Sequence, residues 1–253
     1  MLKRRIIPTI LWKDLGIVKG RGFNSSRRVG SLLPCIKVYN TRQVDELMIL
    51  DITATDQDRE PDYAVIDEIA DECFVPLTVG GGVKTVEHIR NLLRAGADKV
   101  SINSACYQSP ELVSKGADIF GVQCIVVSID VFKDNKGKYE CYMNSGKVAT
   151  GKKPVEWAKE MELRGAGELL VTSINNDGEM CGYDIELIRS ISDEVNIPVI
   201  ASGGARNYDD LYKALEEGQA SAVAAASIFH FTEMTPLEAK IYLNDRGVLV
   251  RKF

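Results

Sequence analysis

Two glycine pairs, Gly81-Gly82 and Gly203-Gly204, each close a short apolar run and open an amphipathic one. Glycine at such a junction lets backbone N–H groups approach an anion, and the start of the following helix adds a favourable partial charge. Asn103-Ser104, Asp177-Gly178 and Ala226-Ser227 also follow apolar runs, so all of these residues read as phosphate-binding loops. A lone Gly-Gly is ordinarily only a turn; here the pattern occurs in both halves of the chain. Two facing sites imply a small-molecule ligand with a phosphate at each end. Asp130 ends the run Ser-Ile-Asp, where a carboxylate can serve as general acid or base, or equally cap a backbone or hold a cation. Lys19 lies in a Gly-, Arg- and Lys-rich stretch and is a candidate contact for an anionic ligand, the alternative being a solvated charge. Asp51 has the opposite strand parity to Leu50 and reads as structural.

The elements that must position these residues recur. Val75 to Ala105 is strand, glycines, helix, glycine, strand, with Val86, Ile89, Leu92 and Leu93 at helical spacing and Gly96 where a left-handed C-terminal residue is expected. This is a βαβ unit, which builds parallel sheet with helices outside. Ile200 to Ser227 repeats it. One constant offset lays Gly203 on Gly81, Gly204 on Gly82, Leu211 on Ile89, Leu215 on Leu93 and Gly218 on Gly96. The same offset lays Glu168–Thr172 on Glu46–Leu50. A repeat of about half the chain marks two duplicated half-barrels, and two halves of four βα units make a (βα)8 TIM barrel of about 250 residues. The predicted strands are Arg5–Leu11, Glu46–Ile52, Val75–Val79, Lys99–Asn103, Cys124–Asp130, Glu168–Ser173, Pro198–Ser202 and Ala222–Ala226. Helical patterns lie between most of them, among them Tyr63–Cys73, Pro154–Arg164 and Asp184–Val195. The long connection from Lys13 to about Pro34 is predicted to be a mobile flap. That from Val131 to Lys153 holds a hairpin around Asn135-Lys136-Gly137, and Pro236–Phe253 is a closing helix with a short extended end.

Residues two apart on a strand share a side. Arg5, Ile7, Thr9 and Leu11 form one column; Glu46, Met48 and Leu50 a second; Lys99, Ser101 and Asn103 a third; Glu168, Leu170 and Thr172 a fourth. Each begins with a charge. Arg5, Glu46, Lys99 and Glu168 are therefore expected to form a mutually paired ring at the barrel floor, since isolated buried charges are costly.

With 253 residues, 45% hydrophobic and 26% charged, the chain reads as one globular domain, 1–253. A net charge of −5 argues against a nucleic-acid surface, and no apolar run reaches the length of a membrane span. The basic-then-apolar start, MLKRRIIPTILW, contains Pro8 and lacks a cleavage site, and so reads as the first strand. Six cysteines without CxxC or metal spacing point to reduced thiols in a cytoplasmic protein. The two histidines, His88 (read as surface) and His230, support neither zinc chemistry nor a Ser/His/Asp triad; no metal and no cofactor are expected.

Several stretches resemble the HisF family, the synthase (cyclase) subunits of imidazole glycerol phosphate synthase. They are Arg-Ile-Ile-Pro at 5–8, Val-Lys-Gly at 18–20, Asp-Glu-Leu at 45–47, Leu-Asp-Ile-Thr-Ala at 50–54, Val-Gly-Gly-Gly at 79–82, Ala-Asp-Lys-Val-Ser-Ile-Asn at 97–103, Arg-Gly-Ala-Gly-Glu at 164–168 and Ala-Ser-Gly-Gly-Ala at 201–205. The resemblance implies a lyase-type glutamine amidotransferase complex of histidine biosynthesis. In it the barrel docks a HisH-like glutaminase by its N-terminal face and passes ammonia to a bisphosphorylated ribulosyl-imidazolecarboxamide at the other end. It makes Arg5, Glu46, Lys99 and Glu168 the ammonia gate, places Asp98 at the glutaminase interface, and matches Asp130 to one catalytic carboxylate. The second carboxylate belongs at the end of strand one, where this chain has Leu11. Leu11, together with Thr-Ala-Thr-Asp-Gln-Asp-Arg-Glu-Pro at 53–61 and Ile-Lys-Val-Tyr-Asn at 36–40, is similar to the glycosyl-amidation-associated WbuZ-type paralogues. These accompany a glutaminase and a third, ATP-dependent amidotransferase, and convert an acetamido to an acetamidino group on a surface-polysaccharide sugar. The expected function is that of this branch. The alternatives are the histidine-pathway cyclase, which the C-terminal Gly-Val-Leu-Val-Arg resembles more, and a catalytically silent ammonia conduit and scaffold.

Overall fold

A computed structural model describes residues 3–13, 16–23 and 25–251. Asp14, Leu15 and Asn24 of the predicted flap, and Lys252 and Phe253 of the predicted tail, lie outside the described residues.

The strands are β1 (Arg5–Lys13), β2 (Gly16–Arg21), β3 (Ser25–Gly30), β4 (Leu47–Asp51), β5 (Leu77–Gly80), β6 (Lys99–Ile102), β7 (Ile125–Lys133), β8 (Tyr139–Met143), β9 (Val148–Ala149), β10 (Glu168–Ser173), β11 (Val199–Ser202) and β12 (Ala222–Ala225). Eight of them, β1, β4, β5, β6, β7, β10, β11 and β12, pair in parallel in that order, and β12 returns to β1. The closed ring with intervening helices is the predicted (βα)8 barrel. Closure leaves the barrel without a free edge.

The helices follow the apolar spacing. They are α1 (Leu32–Thr41), α2 (Tyr63–Ala70), α3 (Val86–Arg94), α4 (Ser104–Gln108), α5 (Glu111–Phe120), α6 (Pro154–Leu163), α7 (Ile185–Ser192), α8 (Tyr208–Glu216), α9 (Ser227–Phe231) and α10 (Pro236–Asp245). α3 shows the local logic. Thr85 caps it by accepting from the His88 N–H, Ile89 and Leu92 are fully buried, and Gly96 follows with φ 96°. Burying each of those two side chains contributes about 1.5–3 kcal/mol.

Two apolar regions result. The larger lies between sheet and helices. The smaller fills the barrel bore with Ile7, Met48, Val126, Leu170, Ile200, Ala222 and Ala224, with Leu50 packed against it. These bore residues continue the columns read from strand parity.

Three expectations change in detail. The described part of the predicted flap forms an antiparallel hairpin, β2–β3, and β1 runs two residues further than predicted because Leu11, Trp12 and Lys13 pair with Val18, Ile17 and Gly16. The connection after β7 is a hairpin whose first strand is β7 itself, continued by β8 and β9. In the tail α10 is anchored by a buried ion pair, Lys240 Nζ to Asp45 Oδ1 at 2.6 Å, and Arg4 bridges Val250.

Candidate functional site

The loops that follow the barrel strands converge on a cavity of about 700 Å³ at the C-terminal mouth. Its lining includes Asp130 and every residue predicted for phosphate binding: Gly81, Gly82, Asn103, Ser104, Asp177, Gly178, Gly203, Gly204, Ala226 and Ser227. Gly81-Gly82 follows β5 and Gly203-Gly204 follows β11, four strands apart on a ring of eight, so the two pairs face each other. Ser104 opens α4 and Ser227 opens α9, again four strands apart.

The glycines are required by space as well as by conformation. Gly81 has φ 108°, and a Cβ there would lie 2.2 Å from the Asp51 carbonyl oxygen. Gly204 has φ 107°, and a Cβ there would lie 2.1 Å from the Gly182 carbonyl oxygen. Backbone contact at both positions leaves no room for a side chain.

Asp130 sits at the inner wall, 8% exposed. Asn103 Nδ2 donates to its Oδ2 at 2.7 Å, and Ser128 Oγ donates to its Oδ1 at 3.4 Å. Burial pushes its pKa up to about 7 and the nearby charge of Asp177 pushes the same way, while the two hydrogen bonds oppose them. Near neutrality this carboxyl exists in both protonation states, as a general acid or base requires. Asp177 is also raised, chiefly by burial, with the charge of Lys19 acting against the shift.

Lys19 lies in β2. It is 5% exposed, donates to the Thr9 carbonyl oxygen at 3.3 Å, and is not among the residues lining the cavity; β2 contributes Gly20 instead. Burial lowers its pKa to about 8.

Asp51, read as structural, lines the cavity and bonds to its own loop. Its Oδ1 accepts from Thr53 N and Ala54 N at 2.9 and 3.1 Å, and its Oδ2 pairs with Arg59 Nη2 at 2.5 Å. His88 corrects a reading. It is half-buried rather than a surface residue, and its Nδ1 lies 3.2 Å from the Gly82 carbonyl and 3.3 Å from Lys84 N, bracing the first glycine loop.

At the opposite end the predicted floor ring is present. Arg5 Nη1 lies 2.8 Å from Glu46 and 3.0 Å from Glu168; Lys99 Nζ lies 2.9 Å from Glu46 and 3.2 Å from Glu168. Thr78 Oγ1 donates to the other Glu46 oxygen at 2.7 Å. Each acid meets both cations, the form in which such charges tolerate burial. Asp98 is exposed on this face, and its Oδ2 accepts from Leu77 N at 2.8 Å.

Sequence reasoning missed the mouth's outer wall. The tip of the β8–β9 hairpin reaches the loops after β4 and β6: Asn144 N donates to Ser104 Oγ at 2.9 Å, Ser145 Oγ donates to the Ile52 carbonyl at 3.3 Å, and Lys147 pairs with Asp56. Lys84 pairs with Asp58 on the same rim, and Lys13 and Phe23 also line the cavity. The signal that was available is the polar run Asn144-Ser145-Gly146-Lys147, whose reach depends on the hairpin's length.

The comparisons with known proteins agree with this geometry. Residues 5–235 match the family model described as "Histidine biosynthesis protein". Imidazole glycerol phosphate synthase subunit HisF of Natranaerobius thermophilus is 49% identical over 251 residues, 99% of this chain and all of the relative. The chain belongs to the HisF family. The HisF subunits of Trichormus variabilis and Dehalococcoides mccartyi are each 48% identical, the first over the whole of both chains and the second over 99% of each.

Leu11 lies on β1. It registers with Leu50 on β4 and Val18 on β2, and it lines the mouth beside Leu50, Ile52 and Ala224. That wall of the mouth is apolar. Asp130, Asn103, Ser128 and Thr172 make the facing wall polar. Among the described residues, no helix is long and apolar enough to cross a membrane.

Proposed function

We propose that this chain is the synthase subunit of a glutamine amidotransferase, a single barrel domain that works in the cytoplasm and receives ammonia from a HisH-like glutaminase. The glutaminase docks at the floor, with Asp98 at the interface, and Arg5, Glu46, Lys99 and Glu168 gate the entry of ammonia. At the mouth the nitrogen is added to a small molecule held by phosphate groups at the two facing glycine loops, with Asp130 handling the proton. The observation that carries this reading is a charged ring and two facing glycine loops at opposite ends of one apolar bore.

The acceptor we favour is an acetamido group on a surface-polysaccharide sugar, converted to acetamidino with the help of a third, ATP-dependent amidotransferase. Leu11 supports it. A leucine neither gives nor takes a proton, and one well-placed acid or base contributes about 10²–10⁴-fold in rate. The second reading is the cyclase of histidine biosynthesis, favoured by full-length identity of 48–49% to relatives named for that enzyme. A silent ammonia conduit is the reading in which Asp130 is unused.

The deciding experiment measures imidazole glycerol phosphate formation from the ribulosyl-imidazolecarboxamide substrate with ammonium as nitrogen source, in wild type and Leu11→Asp. The amidation reading expects very weak turnover in the wild type. Turnover in the ordinary enzymatic range, roughly 1–10³ s⁻¹, overturns it in favour of the cyclase.

A further inference from the structure

The two glycine loops are related by the duplication, yet their supports differ at one position. The offset that superposes the glycine pairs also lays Asp210 on His88 and Arg206 on Lys84. In the second half two groups divide two tasks. Gly182 N donates to the Gly204 carbonyl at 2.8 Å, and Asp210 Oδ2 accepts from Arg206 N at 3.0 Å. In the first half both tasks fall to one atom. His88 Nδ1 lies 3.2 Å from the Gly82 carbonyl oxygen and 3.3 Å from Lys84 N.

One ring nitrogen cannot do both at once. Without a proton, Nδ1 accepts from the Lys84 N–H; with one, it donates to the Gly82 carbonyl and releases Lys84. The carbonyl matters because a trans peptide points the next N–H the opposite way. His88 stands outside the cavity lining, so a Gly82 oxygen held at His88 turns the Val83 N–H toward the cavity that Val83 lines. That N–H has no acceptor among the described residues. The charged groups facing the imidazole are Glu60 from the loop after β4, whose Oε1 lies 3.8 Å from Nε2, and Lys84, paired with Asp58. Glu87 and Arg90 on α3 pair with each other, and Tyr63 of α2 donates to Glu60 at 3.4 Å. In the imidazolium form both ring nitrogens therefore meet an acceptor, the Gly82 carbonyl and the Glu60 carboxylate. In the second half the equivalent side chain, Asp210, is a carboxylate paired with Arg206.

We propose that His88 is the positioning residue of the first glycine loop, and that binding of a phosphate dianion there is coupled to uptake of a proton by its imidazole. The second loop, supported by Gly182 and Asp210, takes its anion without that coupling. This rests on the reading of the glycine loops as anion sites. The proton comes from solvent, fixes the Gly82 carbonyl, and brings a positive charge beside the bound anion. Coupling is reciprocal, so the affinity of the first loop falls as pH rises and the imidazole loses its proton. The two ends of the ligand are then held unequally, one by a pH-dependent grip and the other by a constant one.

The test has two arms on the intact chain. The probe is inorganic sulfate, which stays a dianion between about pH 5 and 8, where histidine ordinarily changes charge. Calorimetry measures its affinity in Gly204→Ala, which keeps the first loop, and in Gly81→Ala, which keeps the second. Asp130 titrates in the same range, so the coupling is read as the difference between each protein and the same protein carrying His88→Asn. The Asn amide reaches the place of Nδ1 but does not titrate. In Gly204→Ala the gain in affinity from pH 8 to pH 5 should exceed that of its His88→Asn form by about fivefold or more. In Gly81→Ala, His88→Asn should change nothing. The second arm follows imidazole ¹⁵N shifts of the wild type without sulfate. Nδ1 should be bare at pH 8 and protonated at pH 5, with the Lys84 amide proton moving in step. His230, whose pKa burial lowers to about 3, stays neutral throughout. Equal pH dependence with and without His88, or an Nδ1 that keeps its proton at pH 8, overturns the proposal. Sulfate bound at neither loop of the wild type overturns the anion reading and the coupling together; sulfate bound without that difference overturns the coupling alone.

Discussion

Asn103 Nδ2 donates to Asp130 Oδ2 at 2.7 Å, joining the end of the fourth barrel strand to the end of the fifth. The bond favours the ionised form of a carboxyl whose burial and anionic neighbour favour the neutral one. The balance leaves Asp130 titrating at about 7, far above the ordinary carboxyl value of 3.8. A group tuned this way is costly to the fold when charged, and such groups cluster at functional sites.

The first prediction follows from the sign of that shift. A carboxyl whose folded pKa is raised contributes stability that is full below its unfolded value and is lost as pH rises through the folded one. Asp130→Asn removes the penalty of ionisation. It should therefore raise the melting temperature above pH 7, with the gain fading as pH falls toward 4. Each kcal/mol corresponds to about 2–4 °C for a domain of this size. Thermal melts at pH 8 and pH 4.5 check it; a gain that grows on acidification contradicts the assignment.

The floor ring yields a separable phenotype. Lys99→Ala removes one of the two cations that touch Glu46 and Glu168 and leaves both acids paired with Arg5. Glutamine-driven turnover should change, while phosphate-ligand binding, at the far end of the bore, stays as in wild type. Loss of ligand affinity with intact glutamine coupling would remove the gate role from the ring.

At the mouth, Gly81→Ala and Gly204→Ala each push a Cβ into a backbone carbonyl at a positive φ. Either should lower phosphate affinity at its own loop by tenfold or more, about 1.4 kcal/mol, and leave the opposite loop working. Crystals grown in sulfate or phosphate should show both sites filled in the wild type and one in each variant. Wild-type crystals with both loops ordered and empty would argue strongly against a bisphosphate ligand.

The closing helix depends on the pair Lys240–Asp45, both side chains at most 2% exposed. Asp45 also accepts from Ile6 N at 2.9 Å, so the pair ties α10 to the first strand. Lys240→Met leaves a buried carboxylate without its counterion and should cost about 3–5 kcal/mol. Urea unfolding measures it; a change under 1 kcal/mol would show that the pair is no anchor.

The barrel was legible in the sequence because its causes are local and repeated. Alternation within each strand sorts Ile7, Met48 and Leu170 into the bore, helical spacing puts Ile89 and Leu92 under α3, and one offset superposes the two glycine loops. The charges at the strand starts were legible too, because parity alone sends Arg5, Glu46, Lys99 and Glu168 to one side. Contacts between parts distant in sequence were not. Nothing local tells that Lys19 reaches the Thr9 carbonyl, that Asn144 reaches Ser104, or that His88 braces Gly82. Nor does it tell that the turn at Asp177 packs against the β2–β3 hairpin and the second glycine loop. Residue type and spacing determined the barrel, its bore and its two glycine loops. Which strand ends lie opposite one another was decided only when the ring closed, because closure alone sets the neighbours of each strand end.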